Sequence, residues 1–154
     1  MDWEKEDGNI TGESQYCFRG EGNNNYFVYN TPFEISLRSI NPFGWPQLVI
    51  TCVTIDRVGK ESIFGYGVVY CPMKPGIYKK EVAIFSPMST EFQDKINSMV
   101  NQNEEKKKEK DTYNAPKIIA SGEGREITRA NHMGSIEVKF QITLRDVEKL
   151  GYNI

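Results

Sequence analysis

The sequence predicts an all-β fold, an antiparallel sandwich of about seven or eight strands with one inserted amphipathic helix. First, aromatic residues make up 12% of the 154 residues, and glycine- or proline-marked breaks separate short apolar runs. Second, residues 33–39 and 135–145 alternate between apolar and polar side chains, which is typical of strands with one buried face. Third, residues 47–55 are nearly all apolar or β-branched, which predicts a strand buried on both faces in the middle of a sheet.

The remaining elements follow in chain order. Residues 1–25 form a polar N-terminal segment, interpreted as a loop or tail with a short strand near 15–18, and a single domain is expected over residues 26–152. The first clear strand is predicted at residues 26–30, with later strands at 33–39, 47–55, 62–71, 77–85, 117–120 and 135–145. On the strand at 62–71, Gly65 and Gly67 share a face and leave room for a close approach by another backbone. Apolar residues at helical spacing predict a helix over residues 89–101, followed by a solvated charge run at 104–110.

The run Asn41-Pro42-Phe43-Gly44-Trp45-Pro46-Gln47 predicts a stiff corner between two strands. Each proline fixes its own φ and keeps the preceding residue extended, while Gly44 supplies one free joint. We expect Phe43 and Trp45 to pack into the sandwich, because aromatics next to turn residues commonly close a core. The alternative is an exposed aromatic knob that contacts a partner.

Charge and cysteine content exclude several classes of protein. The formal net charge of −2 argues against general binding to nucleic acid or to an anionic membrane. The charged start of the chain is unlike a signal peptide, and no run has the length of a membrane span. Three cysteines without a secretion signal fit a reduced intracellular protein, in which Cys52 and Cys71 act as small buried hydrophobes.

The sequence offers no constellation of catalytic, cofactor-binding or metal-ligating residues. It lacks a dinucleotide fingerprint and a nucleophile elbow, and His132 is its single histidine. A shared calcium site would need several converging carboxylates, and no Asp-x-Asp pair is present. Lysine clusters for lipid binding are weak, because Lys79 and Lys80 are adjacent and point to opposite faces of a strand. We therefore expect no enzyme activity, no cofactor and no metal.

Several motifs resemble the B9-domain family. They are Asn41-Pro42-Phe43-Gly44-Trp45-Pro46-Gln47-Leu48-Val49-Ile50, Gly65-Tyr66-Gly67, the Pro75-Gly76 turn, Gly122-Glu123-Gly124-Arg125-Glu126-Ile127-Thr128-Arg129 and Lys149-Leu150-Gly151-Tyr152. The resemblance runs from about Tyr26 to Tyr152. It implies a C2-like β-sandwich without enzyme activity or cofactor, located in the cytoplasm at the ciliary base, the transition zone and the basal body.

The same resemblance implies partners and a role. The chain would be a scaffold subunit of the transition-zone (Meckel syndrome, tectonic-like) complex, supporting ciliogenesis and the ciliary gate. Its partners would be other B9-domain proteins, namely the second small B9 protein and the Meckel syndrome type 1 protein, together with tectonic-like complex members and a peripheral membrane contact, but no nucleic acid. By analogy with C2 domains, the alternative is a calcium-independent peripheral lipid-binding module.

Two expectations concern contacts with partners. Family members usually begin with a further N-terminal β segment, which is not recognisable here, and a sheet that lacks one strand would expose an edge for a partner strand. The loop that carries Glu123, Arg125 and Arg129 is the candidate partner contact, because arginine can form bidentate pairs with carboxylates and is enriched at interfaces. The alternative is that Arg125 pairs with Glu123 and only orders its own loop.

Overall fold

The computed structural model describes residues 3–20, 26–41, 43–87, 119–120, 130–148 and 151. The chain divides into two compact units, Met1–Gly44 and Trp45–Ile154. The described residues contain two antiparallel sheets, formed by β1 (Glu4–Gly8), β2 (Ile35–Arg38), β3 (Gln47–Ile55), β4 (Glu61–Tyr70), β5 (Gly76–Pro87) and β6 (Ala130–Ile142). The predicted all-β antiparallel class is confirmed, although six strands are fewer than the seven or eight expected. The helix predicted over 89–101 and the charge run at 104–110 lie outside the described residues.

The first unit contains the two-stranded sheet of β1 and β2. Glu4 lies opposite Arg38, so the polar strand gains a cross-strand pair of opposite charge. A bulge between Lys5 and Asp7 shifts the register, and Gly8 ends the strand with a φ of 87°. The position of Gly8 requires glycine, because a Cβ there would collide with the Glu34 carbonyl.

The second unit contains a four-stranded sheet in the order β3-β4-β5-β6. β3 and β4 form a hairpin whose register runs from the Gln47–Tyr70 pair to the Ile55–Glu61 pair, with a bulge between Cys52 and Val53. Within the part of the chain that the structure describes, β3 is therefore an edge strand. Among the described strands, the prediction that it lies in the middle of the sheet is not met.

β5 and β6 form the longest hairpin, and their side chains separate cleanly onto two faces. On β6 the apolar residues 136, 138, 140 and 142 are half-buried, whereas the polar residues 135, 137, 139 and 141 are exposed. The alternation predicted for residues 135–145 is thus confirmed over the strand. Pairing of Gly76 with Ile142 and of Val82 with Ile136 fixes the register.

The two hairpins meet at the glycine face of β4. Tyr66 pairs with Phe85, and this is the single register pair between β4 and β5. Beside it, Ile84 lies so close to Gly65 and Gly67 that Cβ atoms built there would be 2.8 Å from its Cγ2 and 2.7 Å from its Cδ1, respectively. The close approach predicted for this glycine face is confirmed.

The core of the described residues sits at this junction and lies entirely in the second unit. Its buried apolar residues are Tyr66, Val82, Ile84 and Ile119, each 5% exposed or less. The Tyr66 and Phe85 rings pack at a centroid distance of 6.4 Å in a tilted geometry. Among the described residues, no helix has the length and hydropathy needed to cross a membrane.

Three local predictions differ from the structure. Residues 15–18 and 26–30 are not strands, because neither segment joins a sheet ladder. Ile119 and Ala120, the described end of the strand predicted at 117–120, are helical. Conversely, β1 lies in the segment interpreted as loop, because its four charged residues gave no apolar alternation to detect.

Candidate interaction surfaces

The predicted partner contact formed by Glu123, Arg125 and Arg129 lies outside the described residues, as does Pro42 of the corner. The remaining corner residues can be placed. They straddle the point where the chain passes from the first compact unit to the second, between Gly44 and Trp45.

The first half of the corner is an exposed turn. The Asn41 side-chain oxygen accepts a hydrogen bond from the Phe43 backbone N–H at 3.1 Å, and Gly44 has a φ of 71°. The Phe43 carbonyl accepts a hydrogen bond from the Trp3 indole N–H at 3.2 Å. The Phe43 side chain is 80% exposed, so the expectation that it packs into the fold is wrong. Only the backbone of Phe43 is held by these bonds, which leaves its ring toward solvent.

The second half of the corner fastens the start of β3 to the end of β4. The half-buried Trp45 donates its indole N–H to the Cys71 carbonyl at 2.9 Å, and the Cys71 N–H donates to the Pro46 carbonyl at 3.1 Å. These bonds close the open end of the hairpin. Burial raises the pKa of the Cys71 thiol, an effect that the nearby Lys80 cation and a backbone hydrogen bond partly oppose.

The first unit presents an unusually large apolar surface. Among its described residues none is buried. Ten large apolar side chains are exposed by between 47% and 89%: Ile10, Tyr16, Phe18, Tyr26, Phe27, Val28, Tyr29, Phe33, Ile40 and Phe43. Exposed apolar groups in such number indicate a surface that binds a partner. We refer to the part contributed by residues 16–18 and 26–33 as the aromatic surface.

The two segments of the aromatic surface contact each other at Cys17 and Val28. The Cys17 thiol donates to the Val28 carbonyl at 3.2 Å, which joins the segments. Gly12 approaches the Phe33 ring closely, since a Cβ at that glycine would lie 3.3 Å from it. Sequence reasoning missed this surface, because aromatic composition predicts a core and does not show which aromatics remain uncovered.

A second feature is the rigid turn between β3 and β4. The Asp56 carboxylate accepts the backbone N–H of Val58 at 2.8 Å and that of Lys60 at 2.9 Å. Gly59 adopts a φ of 85°, and its N–H donates to the Asp56 carbonyl. The turn presents Val58, which is 91% exposed, between two cationic residues, Arg57 and Lys60. The Asp-x-x-Gly spacing in the sequence indicates such a turn.

The lysines considered for lipid binding are engaged within the sheet. Lys79 forms an ion pair with Glu137 across β5 and β6. Lys80, on the opposite face, donates to the Tyr70 carbonyl at 3.0 Å at the end of β4. The Ser135 hydroxyl donates to Glu81 at 2.6 Å. Both lysines are therefore engaged by groups of the same sheet, on opposite faces.

The described residues contain no group of three His, Cys, Asp or Glu side chains placed to hold a metal ion. All three cysteines are free thiols. Burial raises the pKa of the Cys52 thiol, which keeps it protonated and weakly nucleophilic at neutral pH.

Comparison with known proteins identifies the family. A family model described as a ciliary basal body-associated B9 protein matches residues 1–143. B9 domain-containing protein 1 of Xenopus laevis is 35% identical over 99% of this chain and 74% of its own length, and the human protein is 34% identical over 99% and 72%. B9 domain-containing protein 2 of Danio rerio is 24% identical over 97% of this chain and 80% of its own length. No solved structure matches. The chain belongs to the B9-domain family of ciliary basal body-associated proteins.

Proposed function

We propose that this chain is a non-enzymatic scaffold subunit at the base of the cilium, and that it binds other B9-domain proteins. One observation carries the proposal, namely the aromatic surface of a unit in which no described residue is buried. Apolar area of this kind is stabilised by burial at about 25 cal/mol per Å². A partner that covers it would therefore gain affinity from the surface.

Family membership suggests which partners to test. The matched relatives include both B9 domain-containing protein 1 and B9 domain-containing protein 2, so the family contains at least two small members. The proposed complex contains this chain, the second small B9 protein, the Meckel syndrome type 1 protein and tectonic-like members of the transition zone. In the cell it would support ciliogenesis and the gate that controls entry into the ciliary membrane.

Reconstitution from purified components tests the binding function. The chain and the second small B9 protein of the same organism are mixed and analysed by size-exclusion chromatography with light scattering. We expect a stoichiometric complex with a mass equal to the sum of its parts. Two separate peaks at micromolar concentrations, with the Meckel syndrome type 1 protein also present, would contradict the proposed scaffold role. In cells, we expect the tagged chain to localise to the ciliary base, and we expect its depletion to reduce the number of cilia.

Within the same proposal, Glu123, Arg125 and Arg129 remain the candidate contact in the second unit. Reversal of charge by Arg125→Glu is expected to weaken the complex if the guanidinium pairs with a partner carboxylate. Arg125→Lys is the matched control, because it keeps the charge and loses the bidentate geometry. Unchanged binding by a folded Arg125→Glu chain would remove this loop from the interface.

A peripheral membrane contact is the second candidate function, and the turn between β3 and β4 is the observation that favours it. An exposed valine between two cations suits the interface of an anionic bilayer. Co-sedimentation with vesicles that contain phosphatidylserine and phosphoinositides, with and without calcium, tests this function. We expect weak, calcium-independent binding that is lost in Val58→Asp and retained in Val58→Leu.

A further inference from the structure

Residues 26–28 have the sequence of a strand and alternate in exposure as a strand does, yet they belong to no sheet. Tyr26-Phe27-Val28-Tyr29 has high β propensity. Exposure alternates with a period of two along it, at 77%, 51%, 74% and 47%. The segment nevertheless pairs with no strand of the described chain. The ladder hydrogen bonds that such a segment normally makes are therefore not supplied by another described strand.

Two local hydrogen bonds restrain the carbonyl groups of this segment. The Cys17 thiol donates to the Val28 carbonyl at 3.2 Å, and the Thr31 hydroxyl donates to the Tyr29 carbonyl at 3.2 Å. Asn30 follows with a φ of 43°, which lies in the left-handed region, where a strand does not continue. Ordering the segment in advance lowers the entropic cost of pairing with another strand.

We infer that residues 26–28 dock as an added strand on the exposed sheet edge of a partner protein, with Tyr26 and Val28 buried in the complex. Strand addition supplies main-chain hydrogen bonds, and alternate side chains supply specificity. The identity of the partner as another B9-domain protein rests on the proposed function.

The net charge of the first unit indicates which kind of sheet edge in the partner would suit it. Met1–Gly44 carries seven acidic and three basic residues, a formal net charge of −4. Lysines commonly protect the exposed edge strands of sheets, so a lysine-bearing edge is complementary to this unit. An anionic membrane would be repelled by it. A second copy that docked through the same surface would bring two acidic units together, which argues against a symmetric homodimer.

The test uses the full chain and the second small B9 protein. Val28→Pro removes one backbone N–H from the docking strand, while Val28→Thr keeps that N–H and the β-branched shape. Because Val28 is 74% exposed and outside any sheet, both variants are expected to keep the circular dichroism spectrum and urea midpoint of the parent. We expect Val28→Pro to weaken the complex at least tenfold and Val28→Thr less than threefold. Binding by the parent should also weaken as salt is raised.

Hydrogen exchange keeps the inference testable even if Val28→Pro does not fold. In the parent chain, the amides of residues 26–28 are expected to exchange quickly when free and at least tenfold more slowly in the complex. The docking strand is overturned if the complex forms while hydrogen exchange at these amides is unchanged, or if a folded Val28→Pro chain binds as the parent does. Either result leaves the proposed function intact. Failure of the parent chain to bind any B9 protein overturns both. If self-association, or phosphatidylserine vesicles alone, slows hydrogen exchange at the amides of residues 26–28, the choice of partner is overturned.

Discussion

The contact between the glycine face of β4 and Ile84 gives a prediction whose size can be worked from the structure. A Cβ at Gly67 would lie 2.7 Å from Ile84 Cδ1 and 3.1 Å from Val82 Cγ1, both buried side chains. Overpacking of this kind costs about 1–3 kcal/mol, while alanine gains roughly 0.5–1 kcal/mol over glycine in a strand. We expect Gly67→Ala to lower the free energy of unfolding by about 0–2.5 kcal/mol, with a central value near 1 kcal/mol.

The same geometry predicts a specific rescue. Ile84→Val deletes the Cδ1 methyl that Gly67→Ala would strike, and by itself it costs about 0.5–1.5 kcal/mol. In the double variant the new alanine methyl occupies the vacated space. The loss of stability in the double variant should therefore be about 1 kcal/mol smaller than the sum of the losses in the two single variants.

Gly65→Ala is the matched control for this cycle. A Cβ at Gly65 would lie 2.8 Å from Ile84 Cγ2 and 2.9 Å from the Phe85 carbonyl oxygen. Valine at position 84 keeps its γ-methyl groups, and the carbonyl belongs to the strand backbone. Ile84→Val is therefore expected to leave the Gly65→Ala loss unrelieved.

Urea unfolding measures both double-mutant cycles. It compares the parent with Gly67→Ala, Gly65→Ala, Ile84→Val and the two double variants that combine Ile84→Val with each glycine substitution. Equal m-values would confirm a common unfolding transition. The reasoning would be refuted by a coupling energy below about 0.5 kcal/mol between Gly67→Ala and Ile84→Val. Equal rescue of Gly65→Ala and Gly67→Ala would refute it as well, because the two glycines would then not meet different atoms of Ile84.

Three further predictions concern the second unit. Asp56→Ala removes the acceptor for two backbone N–H groups of the turn and should cost about 1–3 kcal/mol in urea unfolding, with Asp56→Asn closer to the parent. Trp45→Phe removes the indole hydrogen bond to the Cys71 carbonyl and should cost about 0.5–1.5 kcal/mol, and no measurable loss would contradict the fastening role. Burial raises the pKa values of Cys52 and Cys71 above the ordinary 9.0, so the unfolded chain releases these protons first. Their contribution to stability is complete below pH 9.0 and declines as pH rises above it. Replacement of both cysteines by alanine should flatten the decline measured in urea between pH 8 and pH 10.

Sequence reasoning succeeded where one physical signal dominated. The alternation of β6 predicts a strand and its faces, because the apolar side chains of a half-buried strand lie two residues apart. Gly65 and Gly67 predict a close approach, because two positions without side chains leave space that a neighbouring strand can fill.

It failed where the outcome depends on neighbours that are distant in sequence. The apolar run of β3 predicts burial on both faces, yet among the described strands β3 lies at an edge, and Val53 is 44% exposed. Hydrophobicity shows that a strand can be buried, and only the strand order determines how many of its sides are covered. β1 shows the converse, because pairing with β2 makes a strand of a charged segment with little propensity for one.

The same limit applied to the candidate sites. Phe43 and Trp45 are two residues apart in a proline-rich corner, and their composition predicts similar roles. The structure separates them, because Trp45 can reach the Cys71 carbonyl with its indole N–H, whereas Phe43 has no polar atom in its side chain and remains 80% exposed. The corner residues alone could not show this, because the position of the acceptor depends on where β4 ends.

At residues 26–28 the local β propensity and the tertiary structure disagree, and this disagreement points to a functional site. In most of a natural chain, local propensity and final structure agree, and exceptions concentrate at functional sites. β1 is a strand against its propensity because β2 supplies a partner, whereas residues 26–28 have the propensity without a partner strand in the described chain. Leaving apolar β-forming residues in water costs stability and promotes aggregation. The docking strand inferred above would remove this cost, because a partner strand would cover the segment in the complex.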